Sequence, residues 1–205
     1  MNSIKLKKEI IFFLFFISSY SFSQKNTSAT SASVTRITIL NPGLSYEKSV
    51  SKLNTLLLRG FLSTTFSVGY SSTFGNYSNI TFDPASTVEY RHYYNLNERV
   101  KNKKLVSNNN LNYIGSIGMV IFSKNRMLSS HFIEENRRAI NTLGVVWGIQ
   151  RNYKKRFSLD FSAGAGYTFT KATYQNMLGE IIHANYSKFA PLVRFNFGLW
   201  LNKRK

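Results

Sequence analysis

Phe157-Ser158-Leu159-Asp160-Phe161-Ser162-Ala163-Gly164-Ala165-Gly166-Tyr167-Thr168-Phe169 separates into two rows. The odd positions are Phe, Leu, Phe, Ala, Ala, Tyr and Phe; the even positions are Ser, Asp, Ser, Gly, Gly and Thr. Side chains of a strand alternate between its faces, so this stretch has one oily face and one polar or tiny face. Six further segments repeat the pattern, separated by turn-rich pieces. Over 34–47, Leu40, Pro42, Leu44 and Tyr46 stand against Asn41, Gly43, Ser45 and Glu47. Over 55–70, Leu56, Leu58 and Leu62 stand against Arg59, Ser63 and Thr65. Over 84–96, Val88, Tyr90, His92 and Tyr94 alternate with Thr87, Glu89, Arg91 and Tyr93. Segment 112–122 has no clean phase. Over 142–150, Leu143, Val145, Trp147 and Ile149 alternate with Thr142, Gly144, Gly148 and Gln150, and over 193–201, Val193, Phe195, Phe197 and Leu199 alternate with Arg194, Asn196, Gly198 and Trp200.

An export signal stands ahead of these strands. Lys5, Lys7 and Lys8 precede an apolar run at 10–17, and Ser21 and Ser23 supply the small residues of a cleavage site before Gln24. The run is shorter than the roughly 20 residues of a spanning helix. Residues 1–23 are expected to be removed, leaving 24–205 as one domain. The chain has no cysteine, which excludes a cysteine-linked lipid anchor, disulfides and thiolate metal sites. Lys and Arg number 27 against 9 Asp and Glu, a net charge of +18. In the cytosol that balance points first to nucleic acid. An exported chain meets anionic lipid head groups instead, so no nucleic-acid partner is expected.

Alternation alone does not say which row points inward. Several segments reach ten residues, the length of a tilted membrane-spanning strand, where strands of soluble sheets run nearer 5–6. Aromatic residues stand toward segment ends (Tyr46, Tyr70, Tyr94, Trp147, Tyr167, Phe169), as interfacial girdles do. Together with the signal, these features turn the oily rows outward. The expectation is an all-β, up-and-down antiparallel transmembrane β-barrel of about eight strands with a polar, filled interior. Bacterial barrels have an even strand count, so an eighth strand is expected at 25–33 or 175–186. Connections 48–54, 97–111 and 152–156 are rich in Lys and Arg, and 71–79, 123–139 and 170–188 are longer or richer in Ser, Asn and Gly. Short turns belong to the periplasm and long loops to the exterior, which puts the basic set and the C-terminus in the periplasm. There the basic residues either face phospholipid head groups or simply stay solvated.

The polar rows bring six charges inside: Glu47, Arg59, Glu89, Arg91, Asp160 and Arg194. An eight-stranded barrel is just wide enough for side chains to fill it, and ions in so narrow a lumen must pair. The expected arrangement is an ion-pair and hydrogen-bond network, with Tyr93, Gln150 and Asn196 as further partners; the alternative is a selective pore. No catalytic, cofactor or metal site is expected. His92 lies on an outward row. His131 shares the stretch 129–135 with Ser129, Ser130, Glu134 and Glu135, but a triad is defined by geometry, not adjacency. His131 and Glu134 lack a third metal ligand. Gly164-Ala165-Gly166 lies within a strand and lacks the third glycine of a dinucleotide fingerprint.

Asn41-Pro42-Gly43-Leu44-Ser45-Tyr46-Glu47, Val88-Glu89-Tyr90-Arg91-His92-Tyr93-Tyr94-Asn95-Leu96 and Trp147-Gly148-Ile149-Gln150-Arg151-Asn152-Tyr153 resemble stretches of small outer-membrane β-barrel proteins of the Bacteroidota type, with OmpA-like transmembrane architecture. The signal ending Ser21-Phe22-Ser23 before Gln24 resembles exports of that group. The resemblance implies residence in the cell outer membrane, contact with its lipids and insertion by the barrel-assembly machinery. The expected role is structural or surface-interacting, as a monomer, with no catalysis. Two alternatives stand beside it: a lipid A-modifying barrel hydrolase or acyltransferase, and a soluble periplasmic barrel that carries an apolar ligand as lipocalins do.

Overall fold

The computed structural model describes residues 30–71, 75–123, 137–153, 155–175 and 180–202. The signal segment 1–23 and the Ser and His cluster at 129–135 lie outside them. Eight antiparallel strands follow one another round a closed ring: β1 (Val34–Thr38), β2 (Gly43–Ser49), β3 (Asn54–Ser71), β4 (Gly75–His92), β5 (Asn112–Ser123), β6 (Arg138–Asn152), β7 (Phe157–Gln175) and β8 (Ile181–Trp200). One short helix, α1 (Leu96–Lys101), lies between β4 and β5. β8 returns to β1 through the pairs Arg36–Trp200, Ile37–Leu199 and Thr38–Gly198.

The eighth strand comes from neither expected place. Segment 34–47, expected to be one strand, is two, folded at Ile39-Leu40-Asn41-Pro42 so that Thr38 pairs with Gly43. Leu40 and Pro42 keep the alternating phase by coincidence and conceal the turn. Asn41 there takes φ 52°, a conformation that Asn tolerates better than most residues, and Pro42 has no N–H to give a ladder. Residues 30–33 form no strand, and 175–186 is where β7 turns into β8. Most of 71–79 and 170–188, expected as loops, is also strand: β3 pairs with β4 up to Ser71–Gly75, and β7 with β8 up to Gln175–Ile181. In 170–188, Lys171, Thr173, His183, Asn185 and Ser187 interrupt the oily outer row, which hides the strand period from the sequence.

The ring closes with a large stagger. Stepping across the ladders from Arg36 leads through Ser45, Arg59, Thr87, Met119, Thr142 and Thr168 to Lys188, whereas Arg36 itself pairs with Trp200. The offset from Lys188 to Trp200 is twelve residues. A stagger of that size tilts every strand strongly against the barrel axis.

Segment 112–122 lacked a clean phase for a physical reason. Tyr113, Ile117 and Ile121 face inward and are buried, while Ile114 and Phe122 face outward. Both rows of β5 are therefore apolar. The basic connection 97–111, together with 93–96 before it, also departs from a solvated turn: Tyr93, Leu96, Asn109 and Leu111 are buried in the end of the barrel where β1 begins and β8 ends. Asn109 holds this stopper in place, accepting from the Ala32 N–H at 2.6 Å and donating to the Ala32 carbonyl at 2.7 Å.

Glycines let neighbouring strands approach at the seam. A Cβ on Gly198 would lie 2.0 Å from the Ile37 carbonyl oxygen, whereas one on Gly60 would meet nothing within 4 Å. Gly198→Val is expected to destabilise the barrel by about 1–3 kcal/mol, as overpacking does. Gly60→Val should leave the urea midpoint of the refolded protein unchanged, so the two midpoints compared check the seam.

Candidate functional site: the charged layer of the lumen

Alternation in six strands aims the charged side chains into one layer of the lumen. β1 supplies Arg36, β2 Glu47, β3 Arg59, β4 Glu89 and Arg91, β7 Asp160 and β8 Arg194. Arg91 is 1% exposed, and Glu47 and Glu89 are 0% exposed. Charges removed from water to that degree persist only with full partnership.

Arg91 is the hub. Its guanidinium donates to Glu89 Oε2 at 2.7 Å, to Asp160 Oδ2 at 2.7 Å and to Gln150 Oε1 at 2.7 Å. It also lies over the Tyr113 ring, 4.1 Å from the centroid. Tyr113 Oη donates to the other Asp160 oxygen at 2.8 Å. The ring fits because residue 148 opposite it is glycine: a Cβ there would come within 2.2 Å of it. On one side Arg194 extends the network, donating to Glu89 Oε1 at 2.6 Å and to Ser162 Oγ at 2.9 Å. On the other, Gln150 Nε2 donates to Glu47 Oε2 at 3.3 Å. Glu47 is the second centre. It pairs with Arg36 and accepts from Thr55 Oγ1 at 2.8 Å, from Asn109 Nδ2 at 2.9 Å and from the Tyr93 hydroxyl. Burial, and then the Glu47 carboxylate, push the Tyr93 hydroxyl well above the ordinary phenol range. It therefore stays protonated and remains a donor.

All six expected charges meet in this layer, together with Tyr93, Gln150 and Asn196. Sequence reasoning missed Arg36. Its strand was merged with β2, and within that long segment the phase of its short strand went unread. Arg59 also differs from expectation. Among the described residues it has no carboxylate partner; it donates to Asn196 Oδ1, to the Asn41 carbonyl at 2.9 Å and to Thr38 Oγ1 at 3.2 Å, and lies over the Phe61 ring. The layer thus holds four arginines against three carboxylates.

Apolar clusters pack in the lumen beside the charged layer, and toward the hairpin tips they are interleaved with buried Asp83, Thr87, Ser123, Thr142 and Thr168. Tyr93, Leu96, Leu111, Tyr113, Ile117 and Val146 pack into one cluster, and Ala85, Ile121 and Ile140 into another nearer the β3–β4 tip. The cavity within the charged layer, lined by Arg36, Arg59, Arg91, Glu89, Asp160 and Arg194 among others, measures about 20 Å³. That is room for about one water. Of the histidines, His92 lies outside the lumen against Asn54 Oδ1 at 2.8 Å, and His183 is exposed beside Thr173 Oγ1 at 3.1 Å. His131 lies outside the described residues. No three potential metal ligands gather among the described residues.

No family model matches the chain, and neither a curated protein nor a solved structure matches it. What the layer can do is read from its own geometry: its charges join six strands through the middle of the ring and fill the space between them.

Arg91→Leu leaves Glu89 and Asp160 buried with one partner fewer and is expected to cost about 3–5 kcal/mol. Tyr93→Phe removes one donor from Glu47 and should cost about 1–3 kcal/mol. Urea unfolding of the refolded variants checks both the order and the size.

Proposed function

We propose that the chain is an integral β-barrel of the cell outer membrane, closed inside, with a structural or surface-interaction role. The observation that carries this reading is the inverted distribution of side chains. Leu44, Leu58, Val88, Leu143, Val145 and Val193 stand exposed on the outer wall while Glu47, Glu89 and Arg91 lie buried within. Exposed apolar surface on that scale is unfavourable in water and favourable against lipid. The wall also carries exposed aromatic side chains: Trp147 and Tyr94, joined at 2.8 Å, and Tyr167 and Phe169 nearer the hairpin tips. Aromatic side chains on an outer wall suit the interfaces of a membrane.

On this reading both termini and the basic stopper 93–111 face the periplasm. The long β3–β4 and β7–β8 hairpins carry their polar tips beyond the outer interface as the contact surface. The charged layer and the stopper oppose conduction, since the cavity within that layer measures about 20 Å³. The resemblance to small Bacteroidota outer-membrane barrels agrees with this assignment, and the fold suits a monomer inserted by the barrel-assembly machinery. A soluble carrier of apolar ligands would need an apolar lumen at its centre, where four arginines stand. For a lipid A-modifying enzyme, the hydroxyl beside a base that the described residues offer, Thr173 Oγ1 with His183 at 3.1 Å, lies exposed on the β7–β8 hairpin.

Membrane fractionation checks the reading. The protein should leave the outer-membrane fraction only with detergent, and its gel migration should change on heating. Recovery of the mature chain in the soluble periplasmic fraction would overturn it. In planar bilayers the protein should show negligible conductance; large stable openings would overturn the closed lumen.

A further inference from the structure

We infer that the cavity in the charged layer is a binding site for one small monovalent anion, with chloride as its occupant. The site belongs to the inside of the barrel and does not depend on which membrane or compartment holds it.

The layer carries one positive charge in excess. Arg36, Arg59, Arg91 and Arg194 stand among Glu47, Glu89 and Asp160, and all but Arg194 are buried. A guanidinium keeps its proton inside a protein, so titration does not remove the excess. The excess is located at Arg59. Glu47 pairs with Arg36, Asp160 with Arg91, and Glu89 with both Arg91 and Arg194. Among the described residues Arg59 donates only to neutral acceptors: the Asn196 amide oxygen, the Asn41 carbonyl and the Thr38 hydroxyl. A net charge held away from water is costly unless a counter-ion accompanies it.

Two guanidinium donors are left over beside the same cavity. Arg36 donates to Glu47 through Nη2, and Arg59 uses Nη1 and Nη2 for its three partners. Arg36 Nη1 and Arg59 Nε are buried and meet no acceptor among the described residues. The two residues are 3% and 8% exposed, so bulk water does not serve these atoms. Both residues line the cavity, together with Arg91 and Arg194. Ser45 and Ser158 are buried and line it too, and a hydroxyl hydrogen can rotate toward an acceptor. The two carboxylates of the lining are already engaged. Glu89 accepts from Arg194 on Oε1 and from Arg91 on Oε2, and Asp160 accepts from Tyr113 on Oδ1 and from Arg91 on Oδ2. With their charge answered, the field left in the cavity is that of the unmatched guanidinium.

Size selects among anions. The cavity measures about 20 Å³. A water molecule needs about 10–15 Å³. A halide is only somewhat larger than water and fits, whereas phosphate, sulfate and carboxylates each bring several heavy atoms and do not. Water would fill the space without neutralising Arg59. Chloride is the abundant ion of the right size, and as a sphere it accepts from several N–H and O–H groups at once.

The test is urea unfolding of the full-length mature protein, refolded in a zwitterionic detergent, with chloride exchanged for gluconate at constant ionic strength. Gluconate is too large for the cavity. One bound ion should raise the folded-to-unfolded ratio tenfold for each tenfold rise in chloride once the site is mostly filled. Arg59→Gln removes the excess charge and leaves no carboxylate without its partner. This variant should fold and lose the dependence on chloride. Stability indifferent to chloride would overturn the site. So would a dependence that survives Arg59→Gln, because it would then belong to the basic surface. A second measurement stands even where Arg59→Gln fails to fold. In crystals of the unaltered protein grown in bromide, anomalous scattering should place one bromide in the cavity beside Arg36 and Arg59. A cavity holding water and giving no anomalous signal would overturn the proposal.

Discussion

Arg91 stands where the lumen is narrowest in polarity, enclosed by Glu89, Asp160, Gln150 and the face of Tyr113. A guanidinium with 1% exposure has no water to fall back on. Its partners come from β4, β5, β6 and β7, so they are supplied only when these four strands pair in their correct register. A slip of one residue in any of these strands would turn its partner out of the barrel. The buried charge is thus more a specification of the ring than a reserve of stability, because burying ions gains little net energy even when they are well paired. Gln150 links this hub to the second one at Glu47, and Asn109 ties Glu47 to the stopper beneath. Closure, register and plugging are three consequences of the same set of partners.

The apolar clusters complement that layer. One surrounds Tyr113 and Val146 and seals the stopper; the other, at Ala85, Ile121 and Ile140, lies toward the hairpin tips. The first cluster is explained by the connection that fills that end. The second shares its level with buried polar side chains, where Ser123 donates to Asp83 at 2.6 Å and Thr142 bonds Thr168 at 2.9 Å. The three prolines have consistent places in this scheme. Pro42 stands in that hairpin's turn. Pro84 stands where the β4–β5 ladder stops at Ala85–Ile121, and Pro191 on the open edge of β8. Each occupies a site where a ladder donor is not needed.

Much of this was legible in the chain. The period-2 rows of β3, β4, β6, β7 and β8 identify an all-β fold because alternation is a local property of an extended chain. They also place Glu47, Arg59, Glu89, Arg91, Asp160 and Arg194 on one face, which is all that a list of network members requires. Reading failed where the pattern carried no contrast. β5 is apolar on both faces, so its phase was hidden. In the β7–β8 extension, polar residues such as Thr173, His183 and Asn185 break the outer row, so it passed for a loop. In β1 and β2 a turn whose residues kept the alternation made two strands look like one, and Arg36 was lost with it.

The sequence by itself determined the strand period, the segregation of oily and polar rows and the inward-facing charges, since each depends only on neighbours along the chain. Only the tertiary structure decided the rest. Which carboxylate Arg91 shares with Arg194, why Arg59 is left to Asn196 and a backbone carbonyl, and how a basic connection becomes a stopper all depend on the twelve-residue stagger of the closed ring. That stagger is a property of all eight ladders together. No single segment carries it, because closing a sheet on itself sets a condition that only the complete circuit of strands satisfies.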